Sequence, residues 1–162
     1  MEIRKTQIDD LDIVMGIYES ARSFMSQNGN PDQWGNNYPP TDLIKNDISD
    51  GNSYVCLDNG RIVCVFAYIE GIDPTYVEIY EGTWLNDEPY GVVHRIASSG
   101  AVKGTASYCL NWSLEKCRNL KIDTHEDNKV MQNLLSKNGF TRCGIIYLEN
   151  GSKRIAFQKK LQ

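Results

Sequence analysis

The spacing of apolar residues between positions 90 and 140 predicts alternating strands and helices. The run at 90–97 is rich in valine, isoleucine and alanine, as a buried strand is, and a loop of small residues follows it. The next segments predict a helix at 105–118, a strand at 120–124 and a helix at 128–137, which Asn138-Gly139 ends. A strand, helix and strand in this order suit a parallel crossover unit, so we expect the two strands to be parallel neighbours.

The pattern before position 90 predicts two helices and an antiparallel hairpin. Apolar residues recur at helical spacing from Ile8 to Met25, after a first strand at 2–6, and a shorter helix is predicted at 41–48. The β-rich runs at 54–57 and 61–69 are joined by Asp58-Asn59-Gly60, which is typical of a hairpin turn. Positions 76–80 alternate like a further strand.

A second hairpin is predicted at the end of the chain. Its strands cover 141–148 and 153–158, about Glu149-Asn150-Gly151. No repeat or interdomain linker interrupts the 162 residues, which is the length of one compact domain. The predicted fold is therefore a single mixed α/β domain over residues 1–162, with the crossover unit in the middle of the sheet.

The composition is that of an ordinary globular protein, with 41% hydrophobic and 23% charged residues. The chain has no apolar run long enough to span a bilayer, and its N-terminus lacks the apolar core of a secretion signal. We therefore expect a cytoplasmic protein that does not enter membranes. The net charge of -4 argues against nucleic-acid binding, which uses a basic surface.

The cysteines and histidines do not suggest a metal centre. The five cysteines form no C-x-x-C pair, and an odd number cannot all pair as disulfides. The two histidines, His94 and His125, do not combine with them at the spacing of zinc ligands. We expect free, buried thiols and no metal.

The loop after the strand at 90–97 is suited to an anion. It opens directly onto a helix N-terminus, where the first backbone N–H groups have no partner within the helix. Gly104 and Ala106 allow the backbone to approach a ligand closely, and Lys103 adds a positive charge. The alternative is a close-packed loop that only leads into the helix.

Two motifs carry a resemblance to a known family. Ala101-Val102-Lys103-Gly104-Thr105-Ala106 matches the Gly and Gly/Ala positions of a phosphate loop that reads Arg/Gln-x-x-Gly-x-Gly/Ala. Asn128 and the segment 134–140 match an Asn that opens a helix ending in Gly-Phe. With these motifs and its order of elements, the chain resembles the Gcn5-related N-acetyltransferases (GNAT) over essentially its whole length. The sequence departs from the family pattern at Ala101, where Arg or Gln is usual.

The resemblance implies a fold, a cosubstrate and a set of binding residues. The fold is a mostly antiparallel mixed sheet with a central, splayed pair of parallel strands, flanked by helices. The cosubstrate is acetyl-coenzyme A, whose pantetheine arm would meet Ile96, Ala97 and Ser98, with Asn128 on the other side. Its phosphates would meet the loop and first helical turn, formed by Val102, Lys103, Gly104, Thr105, Ala106 and Ser107. The alternative for Asn128 is a plain helix N-cap.

Acetyl transfer to an amine needs a base, an oxyanion stabiliser and a proton for the leaving thiolate. A backbone N–H near Ile96 or Ala97 could stabilise the oxyanion. We assign the base to His94, because imidazole ionises near neutral pH. Glu88 and Tyr90, at the start of the same strand, are the rival candidates.

Alternatives to these catalytic roles remain open. His94 could be a packed strand residue paired with Asp123, and Arg95 could equally be the partner of Asp123. His125 is expected to be a loop or capping residue. The usual family tyrosine that protonates the thiolate is replaced by Leu135, so Tyr147, Tyr108 or water would have to donate that proton.

The expected acceptor is a primary amine on a small molecule or peptide. Six acidic residues lie between 70 and 88, so a cationic acceptor is favoured if this segment faces it, although the segment could also be a solvated connector. The aromatic loop at 34–38 could form another wall, or Trp34 could anchor the loop to the core. A coenzyme A-binding sensor without turnover is the alternative function, and a homodimer is a further possibility.

Overall fold

The computed structural model describes all 162 residues. Seven strands form one mixed sheet in the order β1-β2-β3-β4-β5-β7-β6. In chain order the elements are β1 (Glu2–Lys5), α1 (Leu11–Gln27), α2 (Thr41–Ser49), β2 (Ser53–Asp58), β3 (Arg61–Glu70), β4 (Gly91–Ser98), α3 (Thr105–Cys117), β5 (Asn119–Thr124), α4 (Lys129–Lys137), β6 (Thr141–Tyr147) and β7 (Lys153–Lys160). The predicted mixed sheet flanked by helices is confirmed.

The predicted parallel unit is also confirmed. β4 and β5 are parallel, with the register Gly91↔Leu120 and Val92↔Lys121 at the first residues of the pair. The other pairings β1–β2, β2–β3, β5–β7 and β6–β7 are antiparallel. Both predicted hairpin turns contain a glycine with positive φ, 77° at Gly60 and 84° at Gly151, which a residue with a Cβ adopts at a steric cost.

The chain groups into two compact units, of which the first contains Met1–Tyr68 and Val93–Leu110. In this unit α1 places Val14, Ile17 and Tyr18 against strand residues such as Val55 and Val65. Each of these side chains is buried, and Ile44 of α2 completes the cluster. The predicted 3.6-residue spacing of the first helix therefore produces a helix-on-sheet core.

The second unit contains Ile69–Val92 and Asn111–Gln162. Its core includes Tyr76, Val92, Ile146 and Ala156, all almost completely buried. None of the helices in the chain has the combination of length and apolar character that is needed to cross a membrane.

The strand predicted at 76–80 is wrong. The structure has a 3-10 turn at Pro74–Tyr76 and only an isolated bridge between Tyr80 and Ile145. Pro74 has no N–H for a ladder, and the Asp73 carboxylate accepts a hydrogen bond from the Thr75 N–H at 2.9 Å. These two local effects outweigh the alternation of apolar and polar residues.

Candidate active site

Arg95 has an unusual backbone conformation within β4, the strand that was predicted to meet the pantetheine arm. Arg95 has φ +52°, in the left-handed region that residues other than glycine seldom adopt. Its carbonyl oxygen accepts a hydrogen bond from the Tyr18 hydroxyl at 2.9 Å. Its Nε and Nη2 atoms each donate to Asp47 at 2.9 Å. Arg95 therefore pairs with Asp47 of α2, and not with Asp123, which the sequence analysis had considered as its partner.

The residues around Arg95 differ in what they can present to a ligand. Ala97 is only 3% exposed, and its side chain packs in the core with α1, so its contribution is limited to backbone atoms. Ile96 and Ser98 are half-buried. His94, the predicted base, is half-buried and directly precedes Arg95.

The loop between β4 and α3 is shaped by its own side chains. The hydroxyls of Ser98 and Ser99 accept hydrogen bonds from the N–H groups of Gly100 and Ala101, both at 3.2 Å. The Thr105 hydroxyl donates to the Val102 carbonyl at 2.6 Å. The two serine contacts occupy the N–H groups of Gly100 and Ala101, at the start of the loop. The later part of the loop leads into the first turn of α3.

Gly104 is the residue at which the loop becomes a helix. Its φ is +79°, and its carbonyl accepts the first helical hydrogen bond, from the Tyr108 N–H at 3.0 Å. A Cβ built on Gly104 would meet nothing within 4 Å, so the space beside it is open. Helix geometry leaves the N–H groups of Thr105 and Ala106 without an intrahelical acceptor. Binding of phosphates by this loop and turn stays a prediction.

A cavity of about 660 Å³ opens beside this loop. Its walls come from β1, the turn before α1, α1 itself, the β2–β3 turn with the start of β3, and the loop: Arg4, Asp10, Ile13, Ile17, Gly60, Arg61, Ile62, Ser99 and Ala101. Arg4 is paired with Asp10 at 2.8 Å, and the hydrogen bond from Arg4 is the main cause that lowers the pKa of Asp10. The second cation of the lining, Arg61, is exposed.

The thiols are free, as predicted, and those of the first unit are poor nucleophiles. Cys56 and Cys64 are direct cross-strand partners, and Cys109 of α3 is buried with them. Burial raises the pKa of Cys56 to about 12, and a hydrogen bond to Cys64 raises that of Cys109. Cys56 and Cys109 therefore stay protonated near neutral pH, and no group of three metal-ligating side chains occurs in the chain.

Asn128 caps α4 in the second unit. Its Oδ1 atom accepts a hydrogen bond from the Met131 N–H at 2.9 Å, and the residue is 8% exposed. The capping alternative is confirmed, and contact with the pantetheine arm stays a prediction. His125 is a loop residue whose Nδ1 accepts from the Asp127 N–H at 3.0 Å, as predicted.

Two catalytic candidates, Glu88 and Tyr147, lie at opposite ends of the strands of the second unit. The carbonyl of Glu88 accepts from Asn119, whose strand partner is Lys160, whereas Tyr147 pairs with Lys153. Lys160 and Lys153 are seven residues apart along β7, which corresponds to about 23 Å at 3.3 Å per residue. Glu88 and Tyr147 therefore cannot serve one reacting centre together.

The remaining candidate tyrosines have structural partners. Tyr90 accepts a hydrogen bond from the Asp73 N–H at 2.9 Å, and Tyr108 donates to the Met1 carbonyl at 2.9 Å. Leu135 is completely buried, so its position on α4 belongs to the core. Trp34 is 8% exposed and packs edge-on against Tyr18 at 5.9 Å, which confirms its anchoring role.

A part-buried polar pair in the second unit was not predicted from the sequence. The Tyr76 hydroxyl donates to Asp123 Oδ2 at 2.6 Å. Burial, followed by the Asp123 carboxylate, raises the pKa of Tyr76, so that Tyr76 remains a donor. The two residues are 47 positions apart, and only the observation that Asp123 is a carboxylate on a central strand could have directed attention to it.

A second unexpected feature is a buried lysine on the same strand. Lys121 is 4% exposed, and its Nζ lies 4.1 Å from the ring centroid of Trp84 and 3.9 Å from that of Tyr90. Burial lowers its pKa. The two rings stabilise the ammonium group that the protein interior would otherwise exclude.

No family model matches the sequence, and a search of curated proteins finds no match. Solved structures do match. A GNAT-family acetyltransferase from Streptococcus agalactiae 2603 is 34% identical, covers 99% of this chain and 95% of its own, and superposes with a TM-score of 0.91. A GNAT-family acetyltransferase from Listeria monocytogenes 4b F2365 is 16% identical, with 99% and 94% coverage and a TM-score of 0.72.

A third structure was solved with a ligand. The yncA protein of Salmonella typhimurium, with its cofactor acetyl-CoA, is 13% identical over 99% of this chain and 94% of that chain, with a TM-score of 0.62. At this identity the likeness concerns the fold. The Streptococcus protein, in contrast, is similar in sequence as well as in fold over nearly its full length. The chain therefore belongs to the GNAT family of acetyltransferases.

Proposed function

We propose that this protein transfers an acetyl group from acetyl-coenzyme A to a primary amine by direct attack within a ternary complex. The observation that carries the proposal is the loop at Gly104, where a left-handed glycine beside open space leads into the N-terminus of α3. A GNAT structural neighbour solved with acetyl-CoA supports the choice of cosubstrate.

In this proposal the loop holds the phosphates of the cosubstrate through its backbone. The N–H groups of the first turn of α3 supply donors, and the positive end of the helix dipole adds to their effect. Lys103 is exposed and contributes a charge. Arg61, in the neighbouring cavity, adds a second cation on this side of the first unit and partly compensates for Ala101.

Acetyl-coenzyme A supplies an acetyl group activated as a thioester, and β4 contributes the groups that act on it. Ile96 and Ala97 follow the left-handed Arg95, and we assign to their N–H groups the stabilisation of charge on the acetyl oxygen. Because Tyr18 and Asp47 fix Arg95, the donors need no rearrangement during the reaction.

His94 is the proposed base, and it removes a proton from the acceptor ammonium directly or through water. Tyr147 and water are the proposed sources of the proton for the thiolate. Glu88 and Tyr147 lie too far apart to act at one reacting centre. A mechanism in which Tyr147 is the acid therefore cannot use Glu88 as the base.

We expect the purified protein to release free thiol from acetyl-coenzyme A when a suitable primary amine is present. The measurement is a thiol-reactive chromophore assay over an amine panel, with an amine-free blank and with calorimetric titration of acetyl-coenzyme A alone. Absence of saturable binding at low salt would remove the cosubstrate from the proposal.

A coenzyme A sensor is the second candidate. Leu135, which is completely buried, favours it because a leucine side chain at this position cannot donate a proton. It predicts tight binding in the calorimeter and no thiol release with any amine. Such a ligand at a hundred times its Kd would stabilise the protein by about 2.7 kcal/mol.

The Gly104→Glu variant is expected to bind acetyl-coenzyme A on the order of 100-fold more weakly. A carboxylate about 6 Å from the phosphates costs about 3 kcal/mol per unit charge at an effective dielectric constant near 20. The measurement is calorimetric titration of both proteins.

The matched control for that variant is Gly29→Glu. Gly29 follows α1, has a similar φ of +82°, and its Cβ would also meet nothing within 4 Å. It therefore reproduces the backbone strain and the added charge away from the loop. Equal affinities of the two variants would mean that the loop does not hold the phosphates.

A further inference from the structure

Tyr38 ends the aromatic loop at 34–38, and its hydroxyl contacts a residue of β4. The Nη1 atom of Arg95 donates a hydrogen bond to the Tyr38 hydroxyl oxygen at 3.3 Å. Arg95 follows His94 and precedes Ile96, so one arginine side chain separates this hydroxyl from the backbone assigned to the reaction. All of these residues belong to the first unit. A phenol thus lies near the part of β4 to which the proposed function assigns chemistry.

The backbone and ring of Tyr38 are also held in place. Its N–H donates to the Trp34 carbonyl at 3.2 Å, and its carbonyl accepts a hydrogen bond from Arg22 of α1 at 3.1 Å. The Tyr38 and Trp34 rings lie 6.1 Å apart between centroids. Trp34 packs against Tyr18, whose hydroxyl donates to the Arg95 carbonyl. Because these contacts join the loop, α1 and β4 in a closed circuit, the phenol is positioned before any ligand binds.

The direction of the hydrogen bond leaves the Tyr38 hydroxyl proton for another acceptor. A guanidinium group only donates, so the Tyr38 oxygen accepts through a lone pair and keeps its own O–H donor. Tyr18 and Tyr108, in contrast, donate their hydroxyl protons to the carbonyls of Arg95 and Met1. Tyr18 is only 1% exposed, whereas Tyr38 is 37% exposed. Tyr38 can therefore meet a ligand with its hydroxyl hydrogen.

The guanidinium of Arg95 also suits a tyrosine that gives up its proton. The negative charge left on the Tyr38 oxygen would lie 3.3 Å from Nη1, and a hydrogen bond between charged groups is stronger than a neutral one. The Arg95 side chain is 12% exposed, so water screens this attraction only in part. Asp47 accepts from Nε and Nη2 of the same guanidinium, which leaves Nη1 for Tyr38.

Tyr147, the proton source named in the proposed mechanism, has different surroundings. It lines a cavity of about 360 Å³ in the second unit, together with Tyr80 and Glu78. Its ring meets that of Tyr80 edge to face at 5.5 Å, and the Tyr80 hydroxyl donates to Glu78 at 2.8 Å. Tyr38, in contrast, has a hydrogen bond to the residue that follows the proposed base.

We propose that Tyr38 is the general acid that protonates the sulfur of coenzyme A. This inference rests on the proposed acetyl transfer and replaces Tyr147 as the proton source. As the acceptor nitrogen bonds to the acetyl carbon, the C–S bond breaks and its electron pair stays on sulfur. Tyr38 gives its hydroxyl proton to that sulfur. The proton that the nitrogen loses as the amide forms returns to the Tyr38 oxygen through water.

The first test is Tyr38→Phe, which keeps the ring beside Trp34 and both hydrogen bonds between Arg95 and Asp47. We expect kcat with an accepted primary amine to fall about 100-fold. This is the lower end of the usual contribution of a general acid, because a thiolate is already a good leaving group. The measurement is thiol release at saturating amine and acetyl-coenzyme A.

The matched control is Tyr80→Phe, which removes another partly exposed tyrosine hydroxyl that makes a hydrogen bond. This variant should retain the kcat of the parent protein. Unchanged kcat in Tyr38→Phe overturns the proposal. A loss of kcat in Tyr147→Phe with none in Tyr38→Phe overturns it as well, and returns the role to Tyr147.

A binding measurement tests the contact with sulfur without turnover. Coenzyme A and desulfo-coenzyme A, which lacks the sulfur, are titrated calorimetrically into the parent protein and Tyr38→Phe at about pH 9, where a substantial part of the thiol is ionised. We expect Tyr38→Phe to bind coenzyme A about tenfold more weakly, as the loss of one hydrogen bond to a charged group predicts. Its affinity for desulfo-coenzyme A should equal that of the parent. An equal change for both ligands, or no change for either, overturns the proposal.

The two tests also separate failure of this inference from failure of the proposed function. Equal rates of thiol release by the parent protein and Tyr38→Phe support acetyl transfer and overturn Tyr38 as the acid. A loss of affinity that depends on the sulfur, with no thiol release for any amine, overturns acetyl transfer while the contact between Tyr38 and sulfur stands. Absence of coenzyme A binding to the parent overturns both.

Discussion

Replacing His94 by alanine is expected to lower kcat about 10²–10⁴-fold, the usual contribution of a general base. His94 lies directly before the left-handed Arg95, next to the backbone groups assigned to the acetyl oxygen. Binding of acetyl-coenzyme A should change little, because the proposed phosphate contacts come from the loop around Gly104. The measurements are steady-state kinetics at saturating amine and calorimetric titration of the cosubstrate.

Two controls distinguish a base from a packed strand residue. His125→Ala removes the other histidine of the chain, whose Nδ1 accepts a hydrogen bond within its own loop, and it should retain kcat. Free imidazole should restore part of the rate of His94→Ala, which a purely structural role would not allow. Equal turnover of His94→Ala and the parent from pH 6 to 9 would rule out His94.

Replacing Asp47 by alanine is expected to lower the free energy of unfolding by about 3–5 kcal/mol, the cost of leaving one partner of a buried ion pair uncompensated. The side chains of Arg95 and Asp47 are only 12% and 9% exposed, and two hydrogen bonds join them. Removal of Asp47 leaves the Arg95 guanidinium buried with a hydrogen bond to the Tyr38 hydroxyl at 3.3 Å. Denaturant unfolding followed by circular dichroism measures the loss.

The control for that variant is Glu115→Ala, which breaks an ion pair at the surface. Glu115 lies 3.7 Å from Arg118, and the two side chains are 72% and 55% exposed. We expect this change to cost less than about 1 kcal/mol because solvent screens the pair. A similar, small loss in both variants would show that the Asp47–Arg95 pair does not support the left-handed backbone at Arg95.

Loss of Asp47 is expected to affect catalysis as well as stability. Arg95 has positive φ, a conformation that needs support from its surroundings. Loss of Asp47 should therefore reduce kcat as well as stability, because the backbone donors after Arg95 lose their orientation. The Arg95 contacts make α2, far from the loop in sequence, a support of the proposed active site.

Some of the sequence predictions succeeded because their causes are local. The helices at 105–117 and 129–137 and both hairpins depend on spacing, caps and Gly turns within a few residues. The strand predicted at 76–80 failed although its signal was also local, because a proline and an Asp cap act on the backbone more strongly than alternation does.

The same distinction between local and long-range causes applies to the residues of the candidate site. The loop around Gly104 could be found from sequence, because a glycine before a helix has a direct effect on backbone geometry. Arg95 and Asp47 are 48 residues apart, and Tyr76 and Asp123 are 47 apart. No pattern of neighbouring residues contains such a pairing, and for Arg95 the sequence suggested a different partner.

The stretch between 90 and 140 was thus determined by the sequence itself as a strand, an anion-suited loop, a helix and a parallel strand. Its short-range spacing allows little else. Only the tertiary structure decided that Arg95 adopts a left-handed conformation within β4, that Glu88 and Tyr147 lie at opposite ends of the strands of the second unit, and that two tyrosines and Glu78 line a pocket. These features depend on which distant segments pack together, and packing is decided by the burial of whole surfaces rather than by neighbouring residues.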